Sequence, residues 1–198
     1  NCIFNLLNLL KVKILNMKSI FFLIMISSLG FTNNKYIIYP SENIGNKNWI
    51  AINDDVMGGI SNSSVIVNEN KNLIFTGNIS FENNGGFSSC RMFVDFENFF
   101  VFESFMLKIK GDGKIYKLVL RTMNSPIYYS VNFKTKEYEW ITKKINISEF
   151  KPFYRGRKIM ESTQFKLNDI KYIGFQISDK QEGPFSLEVL SVITYNSK

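Results

Sequence analysis

Ile115-Tyr116-Lys117-Leu118-Val119-Leu120-Arg121 reads as one strand of a sheet whose two faces differ. Successive side chains of an extended chain point to opposite sides. Tyr116, Leu118 and Leu120 therefore share one side, and Ile115, Lys117, Val119 and Arg121 the other. One side is apolar and the other polar, as in a sheet with one face on a core and one face in water. Gly111-Asp112-Gly113, just upstream, supplies a tight connection and predicts a hairpin with the preceding apolar run.

Working outward, the chain keeps this punctuation. Short aromatic or β-branched runs are separated by Gly, Asn and Asp clusters. They predict strands at Trp49–Asn53, Ser64–Val67, Leu73–Ile79, Ser88–Phe93, Phe105–Lys110, Tyr116–Arg121, Ile127–Val131, Tyr138–Ile145, Ile170–Ile177 and Phe185–Tyr195. Pro126 and Pro184 fall in connections or strand starts, where a missing N–H is tolerated. Ser148–Phe150 is short enough for a single turn, and no segment keeps helical periodicity. The expected fold class is all-β, an antiparallel β-sandwich or jelly roll. One such domain is expected over residues 36–198, without repeats or an internal linker.

Residues 1–35 read differently. Met17-Lys18, the apolar run from Ile20 to Ile26 and the small residues Ser28 and Gly30 resemble a signal peptide, with Met17 as a candidate true start. The expectation is export, to a periplasm or the outside of a cell. A membrane anchor formed by this segment if uncleaved, or mitochondrial targeting in a eukaryote, are the alternatives.

The 198 residues carry a formal charge of +7 and 19 Phe. Four of the 24 basic residues precede the first acid, so residues 36–198 hold 20 basic and 17 acidic side chains. A nearly balanced domain is not expected to bind nucleic acid. Cys2 and Cys90 are the only cysteines, so no disulfide framework exists within the domain, and Cys90 reads as an inert core or face thiol. Histidine is absent, which removes Ser-His-Asp and Cys-His nucleophile systems and imidazole zinc sites.

Asn53-Asp54-Asp55-Val56-Met57-Gly58-Gly59-Ile60-Ser61 is a shaped loop after a strand. With Trp49 it begins a series that continues through Phe75-Thr76-Gly77-Asn78-Ile79-Ser80 and Glu82-Asn83-Asn84-Gly85-Gly86-Phe87-Ser88-Ser89-Cys90-Arg91. Lys110-Gly111-Asp112-Gly113-Lys114-Ile115-Tyr116, Trp140, Phe150, Phe153-Tyr154-Arg155-Gly156-Arg157 and Gln181-Glu182-Gly183-Pro184-Phe185 complete it. Taken in order, these stretches resemble the complex I intermediate-associated protein 30 family over roughly residues 37–195. The resemblance implies a galactose-binding-like jelly roll, an architecture shared with carbohydrate-binding modules. It also implies a chaperone-like role, since the family's mitochondrial members include an assembly factor of NADH:ubiquinone oxidoreductase, complex I. The chain looks most like the single-domain bacterial members.

The candidate site residues follow from residue type. Asp54 and Asp55 are a possible acid–base pair or calcium ligands. Neighbours on an extended segment diverge, however, so the plainer reading has one carboxylate capping loop N–H groups and the other paired with Arg. Gly58-Gly59 and Gly85-Gly86 read as turns or bulges where another strand passes closely. Arg91, Arg121 and Arg155 stand out in a Lys-rich chain, because guanidinium suits planar bidentate pairing. The readings are pairing with Asp54, Asp55, Asp112 or Asp179, or contact with a ligand. Trp49, Trp140, Tyr116, Tyr128, Tyr129 and Tyr154 are either a sugar-stacking platform or core.

The expected function is non-enzymatic recognition by one sheet face and its rim loops, without cofactor or metal. Asp54, Asp55, Arg91, Asp112, Arg121, Tyr129, Trp140 and Arg155 are the candidate contacts. The partner is a protein, including respiratory-complex assembly intermediates, or alternatively a glycan. A hydrolase with paired carboxylates is the third class.

Overall fold

The computed structural model describes residues 36–39, 49–55, 58–94, 102–123, 125–160 and 165–195. The N-terminal targeting segment therefore lies outside the described residues. Within them, strands follow one another as β1 Tyr36–Tyr39, β2 Ile50–Asn53, β3 Asn62–Val67, β4 Leu73–Ile79, β5 Ser88–Phe93, β6 Ser104–Gly111, β7 Ile115–Thr122 and β8 Ile127–Lys134. The series continues with β9 Trp140–Asn146, β10 Lys151–Tyr154, β11 Arg157–Lys158, β12 Ile170–Ile177 and β13 Gly183–Tyr195. Among the described residues, single 3-10 turns lie at Glu82–Asn84, Leu167–Asp169 and Ile147–Glu149, the last where a lone turn is expected.

The strands form two antiparallel sheets, so the all-β sandwich expected from the alternation is what the chain adopts. The first sheet has the order β3-β4-β13-β6-β9, with β1 also on β13; the second has the order β11-β10-β8-β7-β12-β5-β2. The long β13 binds β4 through Gly183–Val189 and β1 near its other end, while β6 lines its opposite edge.

The core lies between the sheets. Phe75, Phe105, Leu107, Ile109, Phe185 and Leu187 from the first sheet meet Tyr116, Leu118, Phe133, Phe175 and Ile177 from the second. Tyr116 stacks on Phe133 and touches the edge of Phe185, joining the layers through aromatic contacts.

Several expectations are corrected. The Gly111-Asp112-Gly113 connection is tight but is not a hairpin: β6 and β7 belong to different sheets. Asp112 holds this crossover, accepting hydrogen bonds from Lys114 N–H, the Tyr116 hydroxyl and Ser186 N–H. Tyr138 lies outside β9 because its φ of 57° is incompatible with a strand. Three strands were not anticipated, β1, β10 and β11. The polar side of β7 is also drier than its sequence implies: Lys117 is 8% and Val119 7% exposed.

Candidate functional site

The dry polar side of β7 is the floor of a groove. On the outer face of the second sheet, strand register sets Phe93, Tyr172, Arg121, Tyr128 and Phe153 in one row across five strands. The next row runs Ile50, Arg91, Gly174, Val119 and Ser130. Gly174 faces Arg91 without a side chain and leaves it room to lean toward Tyr172. The Arg91 guanidinium lies over the Tyr172 ring at 5.0 Å, and that of Arg121 over Tyr128 at 4.6 Å. Phe153 stacks on Tyr128 at 5.5 Å.

The groove above these rows measures about 870 Å³. One rim is the segment carrying Asn84 and Phe87. That segment is held by Asp54, which is 1% exposed. One carboxylate oxygen of Asp54 accepts from Ser61 N–H at 3.1 Å. The other accepts from the Ser61 hydroxyl, Gly86 N–H and Phe87 N–H at 2.7, 2.7 and 3.4 Å. The paired glycines serve this carboxylate: a Cβ on Gly59 would strike it, and one on Gly85 would lie 2.7 Å from its oxygen. The opposite rim is Pro126 with Arg155 and Gly156, in the turn between β10 and β11. Gly156 N–H hydrogen-bonds the Tyr128 side chain and ties this turn to the floor.

Electrostatically the groove is one-sided. Arg91, Arg121 and Arg155 line it, and no Asp or Glu is among its described lining residues. Arg121 is held below the usual guanidinium range by burial and then by the like charge of Arg91, with Tyr128 acting in the opposite sense. Neither Arg91 nor Arg121 has a carboxylate partner among the described residues. Asp179 pairs instead with Lys117 at 2.7 Å. Arg91 Nε is buried without an acceptor there.

The structure thus gathers Arg91, Arg121 and Arg155 from the sequence-derived candidates and separates the rest. Asp54 is buried beneath a rim. Asp55 is exposed nearby. Asp112 caps the β6–β7 crossover. Trp140 lies on β9 in the other sheet, with Lys110 over its ring at 4.9 Å. Tyr129 points into the core against Phe165. Tyr172 was missed, although Tyr172, Gly174 and Gln176 form the polar phase of the apolar strand Ile170–Ile177. No group of three or more Cys, Asp or Glu suited to a metal ion occurs among the described residues, and none of their helices is long and apolar enough to cross a membrane.

The profile of the family "Complex I intermediate-associated protein 30 (CIA30)" matches residues 39–189. A curated relative from Caenorhabditis elegans, named "Probable complex I intermediate-associated protein 30, mitochondrial", is 25% identical over 174 residues, covering 74% of this chain and 49% of its own length. A relative of the same name from Caenorhabditis briggsae matches to the same extent. The chain thus spans about half the length of the curated relatives it matches. Among solved structures, the family 11 carbohydrate-binding module of a cellulosomal cellulase from Clostridium thermocellum superposes with a TM-score of 0.60 at 12% identity, over 82% of this chain and 95% of the module. The Clostridium thermocellum module in complex with a β-1,3-1,4-mixed-linked tetrasaccharide gives 0.57 at 12% identity, over 82% and 96%. At such identity the likeness is one of fold.

Proposed function

We propose that this chain, which belongs to the Complex I intermediate-associated protein 30 family, is a non-enzymatic, chaperone-like domain that grips a protein partner during assembly of respiratory complex I. The contact surface is the groove on the outer face of the second sheet, with the Asn84–Phe87 and Arg155–Gly156 rims. Family membership over residues 39–189 is the observation that carries this reading. The groove agrees with it: its floor is built from stacked arginine and tyrosine, a composition suited to binding hot spots. The nematode relatives are named as mitochondrial, which supports the organellar alternative for the N-terminal segment over export.

Disrupting the gene is expected to lower assembled complex I on native gels while leaving the other respiratory complexes unchanged, and a wild-type copy is expected to restore it. Unaltered complex I after disruption rejects the assembly role. Fractionation of a tagged chain is expected to find it in mitochondria.

Glycan recognition is the second reading, favoured by the likeness of fold to carbohydrate-binding modules. Under it, the purified chain binds a neutral oligosaccharide on an array, and Tyr172→Ala weakens the signal. Silence across the array rejects it.

A further inference from the structure

We propose that the groove floor is a receptor for carboxylate side chains, and that the segment of the partner protein entering it is acidic. This rests on the groove being the protein-docking surface.

The charge count is the first observation. Three arginines and no described acid line the groove. Bringing Arg91 and Arg121 together costs hydration and mutual repulsion, and half-buried guanidinium groups are ordinarily compensated by carboxylates. Of the four candidate acids, Asp54 is engaged by Ser61, Gly86 and Phe87, Asp112 by the crossover and Asp179 by Lys117, and Asp55 is not among the residues that line the groove. The compensating charge is therefore left to the partner.

Geometry is the second. A guanidinium over an aromatic ring keeps its N–H donors directed outward in its own plane, where they match a carboxylate bidentately. Arg91 and Arg121 each lie over a tyrosine ring and line the groove, and the buried Arg91 Nε has no acceptor among the described residues.

The third observation separates an acidic protein segment from a neutral sugar. Sugar recognition uses open aromatic faces. Tyr128 is 6% exposed and sits between Arg121 on β7 and Phe153 on β10; Tyr172 has Arg91 over its ring and Phe93 at its edge. The tyrosines support the arginines and present little free face.

The test uses the full chain titrated at constant ionic strength with hexaglutamate, hexaglutamine, inorganic phosphate and polygalacturonate, read by calorimetry and by the Arg Nε–Hε resonances. Hexaglutamate is expected to shift the Arg91 and Arg121 resonances, and hexaglutamine to leave them in place. Arg91→Gln with Arg121→Gln should weaken hexaglutamate at least tenfold, and Arg157→Gln, outside the groove, should not. Equal response to the two peptides overturns the proposal without need of any variant, as does affinity unchanged by R91Q/R121Q. Tighter binding of polygalacturonate or phosphate than of hexaglutamate overturns the acidic-protein assignment in favour of a sugar acid or a phosphate. In cells lacking the gene, a R91Q/R121Q copy that restores complex I fully overturns the carboxylate receptor alone. A disruption that never lowers complex I overturns the assembly reading instead.

Discussion

Asp54 is conspicuous in the sequence because it holds a loop together, and the structure supplies the partners that the sequence does not name. Beside Asp55 and the glycines around it, a reactive pair and a metal site compete with the plainer reading, a carboxylate that caps loop N–H groups. The structure selects the cap, since the carboxylate is enclosed and takes its hydrogen bonds from Ser61, Gly86 and Phe87. Burial alone would raise its pKa; those hydrogen bonds outweigh burial and hold it below the ordinary carboxylate range. Glu188 behaves likewise, with burial raising it and Lys110 and Asn72 lowering it further. A depressed folded pKa means that the stabilisation is complete above the unfolded value near pH 4 and disappears as pH falls through the lower folded value. The urea midpoint is therefore expected to fall below about pH 4. Asp54→Asn should cost about 3 kcal/mol at neutral pH and flatten that acid limb. An acid limb identical in the variant would show that Asp54 does not carry it.

At the scale of elements, β5 and β12 set the spacing of the groove floor. Gly174 lets them approach: a Cβ there would collide with the Cys90 carbonyl oxygen and crowd Arg91. Gly174→Ala is expected to cost about 3 kcal/mol by forcing these strands apart, and to shift Arg91 from Tyr172. Thermal unfolding measures the first effect and the Arg91 Nε resonance the second. A melting temperature equal to wild type would mean that the pair relaxes freely. Strand identity itself was legible wherever alternation was long. Leu73–Ile79, Ser88–Phe93 and Ile170–Ile177 have the same bounds by reading and by structure. Lys151–Tyr154 was not legible, because four residues containing a proline carry too little periodicity, and its pairing with β8 depends on chain 20 or more residues away.

For the whole molecule, a core shared by both sheets predicts that they unfold together. Cys90 reports on it from within. Burial pushes its thiol far above the ordinary range despite a backbone hydrogen bond from Phe175. In a Cys2→Ser chain, thiol reagent is expected to label nothing in the native state and one group in urea, with a midpoint matching the loss of β circular dichroism. Labelling well before that midpoint would reveal separate opening of the second sheet.

Periodicity, turn residues and an ordered run of motifs were enough to determine the all-β class, most strand positions and the family. Each of these is a property of near neighbours along the chain, set by the alternation of side chains and the backbone freedom of glycine. Other properties belong to register and layer. That Gly111-Asp112-Gly113 crosses between sheets, that Tyr129 faces the core while Tyr128 faces the groove, and that Arg91, Arg121, Tyr128 and Tyr172 become one surface were decided only in three dimensions. β5, β12 and β7 are neighbours in the sheet but come from distant parts of the chain, and it is their hydrogen-bonded registration that brings those side chains together.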